Sequence, residues 1–504
     1  MPDAGLTTGD HFDVAVLGSG FSGSLISWLL QTAGLRTVVI DRARHPRFAI
    51  GESSTPAANL ILRTLAAEYG LPELAALSRF GTWRETWPGM RCGLKRGFSY
   101  FAHRAGEHLN PDRENHNQLL VAASVSDQVG DTHWYRAEVD SFLARRAQEH
   151  GAVLLEETEI RSATRRAGCW SFELKRDGLA RTIEADFVVD ATGAGQALVN
   201  CGGVESDPVR LQTSTRSIFA HVRSLPLWSD VLATVDPSST GQHPFRCDDS
   251  AMHHLLEEGW MWWLRFHNGL TSVGFVIDEA RKPFDENLTA RVEWDELLAK
   301  YPAIQNAFRD AELVHPKLIR TGKLQRMNRN VAGADWALLP SAAGFVDPLH
   351  STGIAHTLSG VERLTRILTQ LPAGPDRNAG LSAYSENVSR ELEWIDTLVH
   401  GCYECLADFR KFTAFSMCYF AAATTYERRR LDNPRAIEQA FLCADDEQMR
   451  QAVTTLSAVS GQMAASDFET LCEEALRPFN HVGLFSPRHR NMYECTALPE
   501  SSTT

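Results

Sequence analysis

Lys95 stands in the run Cys92-Gly93-Leu94-Lys95-Arg96-Gly97-Phe98, downstream of an Ile50-Gly51-Glu52-Ser53-Ser54-Thr55-Pro56 loop. A lysine usually lies on a solvated face as a charged ammonium. Burial disfavours that charged form and can leave a neutral, reactive amine near pH 7. The neighbouring motifs decide between the two. Glu52 offers a carboxylate that orders its loop or moves a proton, with an ordinary capping contact as the alternative. His350, in Asp347-Pro348-Leu349-His350-Ser351-Thr352-Gly353-Ile354, carries an imidazole able to take a proton near neutrality, or one simply packed in place. Trp260 and Trp262 alternate along Gly259-Trp260-Met261-Trp262-Trp263-Leu264-Arg265, so on a strand both rings point to one face.

The elements that must position these groups begin at the N-terminus. Phe12 to Leu17 is a β-rich run leading into Gly18-Ser19-Gly20-Phe21-Ser22-Gly23, a helical stretch from Ser24 to Ala33, Gly34, and then Thr37-Val38-Val39-Ile40-Asp41. A bare glycine pattern is weak evidence. Strand, glycine turn, helix, strand and acid in that order form a dinucleotide-binding fingerprint. The glycines let backbone N–H groups approach a pyrophosphate at a helix N-terminus, and Asp41 is placed to accept from a ribose. Phe187-Val188-Val189-Asp190-Ala191-Thr192-Gly193 gives a second strand-to-turn signal. A third runs from Trp336 to Pro340 and on to Gly344-Phe345-Val346-Asp347-Pro348. The nucleotide domain is therefore discontinuous.

Between about 210 and 320 the pattern turns to strands, at Ser217 to Val222, Trp260 to Phe266 and Thr271 to Ile277, with His267-Asn268-Gly269-Leu270 as a hairpin turn. From about 380 onward the sequence reads as helices. The spacing predicts an α/β protein: a Rossmann-type dinucleotide-binding domain with an inserted antiparallel β-sheet domain and a helical C-terminal region, which the resemblance given below makes an FAD-binding domain and a substrate domain. The core covers 10–375, with nucleotide-binding parts at about 10–90, 135–210 and 320–375 and the substrate sheet at about 92–134 and 210–320. The helical region covers 380–498 and a disordered tail 499–504.

A net charge of −13 argues against a nucleic-acid or anionic-membrane surface. Hydrophobic residues at 43% and charged residues at 22% are ordinary for a globular protein. No secretory pattern opens the chain. The longest apolar run, Phe412 to Tyr426, is shorter than the ~20 residues a bilayer requires and reads as a buried helix. Ten cysteines lack framework spacing, and the lone Cys402/Cys405 pair has no partner pair, so no metal site is expected. Free thiols in a reducing cytoplasm are the expectation.

Taken together, the glycine fingerprint, Asp41, the Gly51-to-Pro56 loop, Asp190-Ala191-Thr192-Gly193 and Gly344 to Pro348 resemble the FAD-dependent monooxygenase superfamily. The narrower resemblance is to the flavin-dependent halogenases, which carry a GExxxP loop, a lysine on the following strand and a GWxWxIP motif. Here the last motif ends Leu264-Arg265 instead of Ile-Pro. Where tryptophan halogenases place a glutamate before Ser-Thr-Gly, this chain has His350. Cys92-Gly93-Leu94-Lys95 and Gly97-Phe98-Ser99 are similar to the free-standing phenolic halogenases of the phloroglucinol-chlorinating type.

That resemblance implies FAD, supplied in reduced form, and chloride or bromide as co-substrate. It places the cofactor against Gly18, Gly20, Phe21, Ser22, Gly23, Asp41, Arg42, Ser53, Arg136, Asp190, Gly193, Asp347, Gly353 and Ile354. It assigns the halide to Ser351, Thr352 and Gly353, shielding of the substrate from the flavin to Trp260 and Trp262, and catalysis to Lys95, Glu52 and His350. Hypohalous acid made at the flavin would be handed to Lys95 and from there to an electron-rich aromatic, a small phenol or polyphenol. His350 would deprotonate the phenol, or else pack at the flavin edge. No second glycine fingerprint is present for a nicotinamide, which implies a separate NAD(P)H flavin reductase. Three rivals share parts of the pattern. They are a flavin hydroxylase transferring oxygen directly, a saturating reductase of the geranylgeranyl-reductase type, and a flavoprotein without activity.

Overall fold

The strand Asp10–Leu17 sits at the middle of a parallel sheet because it is apolar on both faces, and both faces are covered. A computed structural model describes residues 9–497 apart from 111, 113, 167 and 435–438. The tail expected to be disordered, Pro499 to Thr504, lies outside the described residues. In the sheet, Trp336–Leu338, Leu179–Asp190, Asp10–Leu17, Thr37–Ile40 and Val153–Leu155 run parallel in that order. The hairpin Glu159–Arg166 and Cys169–Arg176 extends it through antiparallel pairing to Leu179–Asp190. Strands distant in sequence thus close one nucleotide-binding sheet around inserted chain.

A second sheet holds Thr215–Arg223, Thr271–Asp278, Gly259–Arg265, Ala251–Leu256, Gly97–Ala102 and Gln118–Ala122, mostly antiparallel. Alternation along its strands feeds two cores. Trp260, Trp262 and Phe219 face the core shared with the nucleotide domain, whereas Met261, Trp263 and Ile218 face a separate cluster under the helix Ala290–Lys300. The turn after Gly259–Arg265 closes as the sequence suggests, with Phe266 N–H donating to the Leu270 carbonyl at 2.8 Å and Gly269 at φ +80°.

Lys95 is carried by a smaller unit. Cys92–Lys95 pairs antiparallel with Asp131–Trp134, and the Gly51-to-Pro56 loop adds to that strand's other edge through the Ser53–His133 bridge. Trp134 N–H donates to the Glu52 carbonyl at 2.6 Å and Ser54 N–H to the Thr132 carbonyl at 3.0 Å.

Helices Pro375–Glu404 and Phe409–Asp432 cover the Trp260 face of the second sheet, with Glu447–Val459 and Ala465–Leu476 outside them. The run from Phe412 to Tyr426 is buried along its whole length. Among the described residues no helix is long and apolar enough to cross a membrane. The chain then returns to the second sheet, where Met492–Tyr493 pairs parallel with Gln118–Ala122. Sequence periodicity gives no sign of that last strand.

Candidate active site

A cavity of about 1270 Å³ runs from the glycine turn to the tryptophan face of the second sheet. Its first end is built by the turn after Asp10–Leu17. Gly18 has φ +92°, and a Cβ there would meet the Ala191 carbonyl oxygen at 3.0 Å. A Cβ on Gly20 would meet nothing of the protein closer than 3.8 Å, so its bare backbone faces the cavity. Asp41 ends the next strand and accepts from Ser19 N–H and Oγ at 2.8 Å each, from Ala43 N–H at 2.8 Å and from Arg47 at 2.8 Å. Burial would raise this carboxyl, but Arg47 and those donors outweigh it and hold it below the usual range.

Gly18, Gly20, Phe21, Ser22, Asp41, Arg42, Ser53, Arg136, Gly193, Asp347, Gly353 and Ile354 all line this cavity, as do Glu52, Ser351, Thr352, Trp260 and Trp262. Arg136 is no solvated helix arginine. It grips Asp140 at 2.7 and 2.9 Å and donates to the Ile50 and Gly51 carbonyls at 2.9 and 3.0 Å, fixing the loop against the cavity. Ser351, at φ +53°, caps the long helix Thr352–Gln370, whose N-terminus opens into the cavity. Its unpaired N–H groups and dipole suit an anion there.

Two cofactor expectations need correction. Gly23 does not line the cavity. A Cβ there would lie 2.0 Å from the Gly18 carbonyl oxygen, so this glycine serves close packing of helix on turn. Asp190 is fully buried and turned inward, accepting from Thr192 N–H and Oγ1 and from Leu198 N–H at 2.6–2.8 Å. It shapes the turn that presents Ala191 to Gly195.

The far end is polar as well as aromatic. Asp347 Oδ2 accepts from Thr215 Oγ1 at 2.7 Å and from Tyr403 Oη at 3.0 Å, and Tyr403 Oη accepts from Trp260 Nε1 at 2.9 Å. Burial pushes the Asp347 carboxyl up to about 7 despite those donors. Glu52 Oε1 faces His221 Nε2 at 2.9 Å, an imidazole absent from the sequence reading.

Lys95 lies beyond this cavity. Its side chain is fully buried, Nζ donates to the Ser54 carbonyl at 2.6 Å and sits 4.1 Å from the centre of the Phe98 ring. Burial brings the amine down to about 7, opposed by Asp131. The partition between amine and cavity is the Gly51-to-Ser54 loop together with His253. His253 lines the cavity, and its ring stacks on Phe98 at 6.1 Å, on Tyr100 at 4.5 Å and, tilted, on Trp260 at 4.8 Å. Burial lowers this imidazole to about 3 and so keeps it neutral.

On the Lys95 side, Phe98 and Tyr100 meet Tyr419, Phe420 and Phe412 of the helix Phe409–Asp432. His350 belongs here rather than to the cavity. Its ring stacks on Tyr419 at 4.3 Å with Nε2 3.5 Å from Cys402 Sγ, and burial lowers it to about 3. Tyr100 Oη, His350 Nδ1, Asn59 Oδ1 and Asp131 Oδ2 are buried without hydrogen-bond partners. Buried polar atoms are seldom left so. Sequence position signalled none of Tyr100, Asn59, Asp131, His253 or Tyr419.

Residues 13–257 match the family of FAD dependent oxidoreductases. The chain is 31% identical over 399 residues to the tetracycline 7-halogenase of Kitasatospora aureofaciens, covering 78% of this chain and 70% of the relative. This chain belongs to the flavin-dependent halogenases. It is also 28% identical over 500 residues to the monodechloroaminopyrrolnitrin halogenase PrnC of Pseudomonas fluorescens, covering 91% of this chain and 83% of that one. The solved structure of the halogenase PltM in complex with phloroglucinol and FAD superposes with a TM-score of 0.85 at 25% identity, over 96% of this chain and 99% of the other. The protein is thus an FAD-dependent oxidoreductase of the halogenase class. The open backbone at Gly20, the unpartnered Ser53 Oγ and the helix N-terminus at Thr352 fit the cofactor.

Proposed function

We propose that this halogenase delivers an oxidised halogen, through the amine of Lys95, to a small electron-rich phenol. When bound in reduced form, FAD with oxygen and chloride or bromide supplies hypohalous acid. Ser351, Thr352 and Gly353 hold the halide at the helix N-terminus, and Trp260 and Trp262 keep the aromatic substrate off the cofactor. Glu52 orders the loop between the cavity and Lys95.

The neutral Lys95 amine attacks the halogen of hypohalous acid. The N–halogen bond forms, the O–halogen bond breaks, and hydroxide leaves with the amine's proton as water. The phenol ring carbon then attacks the halogen. The N–halogen pair returns to nitrogen, the ring releases its proton and the amine regains one. His350, a neutral imidazole with Nδ1 unpartnered, offers that nitrogen as a hydrogen-bond acceptor to the phenol hydroxyl and orients the ring. A direct hydroxylase has no use for a buried amine, so that reading is not favoured.

The observation that carries the proposal is the fully buried Lys95 amine, fastened to the loop that walls the flavin cavity and set over the Phe98 ring, with the buried Asp131 Oδ2 and Asn59 Oδ1 left unpartnered. The relative solved with phloroglucinol supports a phenol of that size. Reduced FAD comes from a separate NAD(P)H reductase. Ten cysteines without disulfide-framework spacing suit a reducing cytoplasm. The test is mass spectrometry of reactions with a partner reductase, either halide, and a panel of phloroglucinol, resorcinol, simple phenols and indoles. Halogenated phenols are expected. Hydroxylated products independent of halide, or indole as the sole substrate, would overturn the proposal.

A further inference from the structure

The strand ladder sets Lys95 directly opposite Asp131, and facing residues of an antiparallel pair project side chains to the same face. Asp131 is 2% exposed and Lys95 is 0% exposed, so the two share one dry site. A single short segment holds both. Ser54 accepts from the amine at 2.6 Å, and Asn59, on the helix that this loop opens, donates to Asp131 Oδ1 at 2.5 Å. Asp131 Oδ2 has no hydrogen-bond partner, although a carboxylate accepts several. An ordinary structural aspartate is satisfied by its donors, as Asp190 is in this protein.

The surroundings leave Asp131 as the charge to which the amine responds. His133 on the same strand and His253 on the second sheet are both lowered to about 3 by burial, so neither is charged near pH 7. On the helix Phe409–Asp432, burial pushes Glu427 up to about 8 and raises Tyr419, leaving both protonated. Arg63, beyond Asn59, acts on Asp131. Burial favours the neutral form of both Lys95 and Asp131, and each opposes that effect in the other.

We propose that Asp131 is a positioning residue for halogen transfer: anchored by Asn59 opposite the amine, it sets the pH range over which Lys95 can accept a halogen. This rests on the role given to Lys95 above. A negative charge at Asp131 stabilises the ammonium, so it delays the appearance of the free amine as pH rises. Dependence on Lys95 alone would give transfer at lower pH, with the amine open to attack whenever hypohalous acid is present.

The test is the single-turnover rate of product formation against pH, using phloroglucinol or whichever phenol of the panel the wild type halogenates, with flavin oxidation recorded alongside. Asp131→Asn is expected to move the acid limb to lower pH by about one unit, with flavin oxidation unchanged, and Asp131→Glu to return it. An unmoved limb, an upward shift, or a uniform loss of rate at an unchanged midpoint would overturn the inference. Should Asp131→Asn not fold, Asn59→Ala removes the donor that favours the anion and must shift the limb the same way, less far. A superimposable Asn59→Ala profile then overturns it. Halogenation retained by Lys95→Ala would instead overturn the role of Lys95 itself.

Discussion

His221 Nε2 lies 2.9 Å from Glu52 Oε1 with both side chains almost wholly buried, which pins the Gly51-to-Pro56 loop to the strand Thr215–Arg223 of the second sheet. Phe48 and Tyr135 pack against the same imidazole at 5.1 and 5.5 Å. Removing one partner leaves the other buried without its contact. His221→Phe is expected to destabilise the flavin-free protein by about 3 kcal/mol. The double variant with Glu52→Gln should lose less than the two single losses added together. Urea denaturation of the four proteins measures the cycle; simple additivity would show that the contact holds nothing.

The two glycines of the fingerprint separate by what stands before them. Gly20→Val projects into open cavity, so the variant should fold with near-normal melting temperature yet fail to take up FAD in a fluorescence titration. Gly23→Val drives side-chain carbon into the Gly18 carbonyl and should cost about 3 kcal/mol or more of stability. Full flavin uptake by Gly20→Val would mean that the pyrophosphate lies elsewhere.

Lys95→Ala should leave FAD affinity intact, because the amine is walled off from the cavity by the loop and His253. Product formation is expected to fall by at least about a hundredfold, the scale of a lost positioned proton-transfer or nucleophilic group. Hypohalous acid would then escape, and a diffusible trap added to the solution should become halogenated instead. Wild-type product rates in this variant would remove Lys95 from the chemistry.

Asp347 gives a pH signature in the flavin-free protein. Its folded carboxyl is raised to about 7 from 3.8, so the folded state holds a proton that the unfolded state has released between those values. The stability that proton contributes is full below about 4 and is lost as pH rises through 7, by up to about 4 kcal/mol. Asp347→Asn carries no such proton and should flatten the decline. Identical stability-against-pH slopes from pH 4 to 7 for the two proteins would show that Asp347 ionises normally.

The fingerprint was legible because a left-handed turn and close packing admit only glycine at Gly18 and Gly23, and because alternation along Gly259–Arg265 puts Trp260 and Trp262 on one face. The same logic misled at Gly23 and Asp190. A motif residue that shapes a turn looks, in sequence, like one that touches a ligand. Lys95 stood out by its context, yet Asp131 did not, since the pairing that joins them is a long-range product of folding. His253 and Tyr100 were silent for a related reason: a short polar step within an apolar strand carries no pattern. His350 was placed at the flavin edge by its motif, whereas its ring turns towards Tyr419 and Cys402.

The helices covering Lys95 leave the nucleotide domain after Thr352–Gln370, and the chain ends in the strand Met492–Tyr493, bound to the second sheet. A cover tethered at both ends cannot swing like a door. Clipping the last residues back past Met492 would turn a strap into a flap.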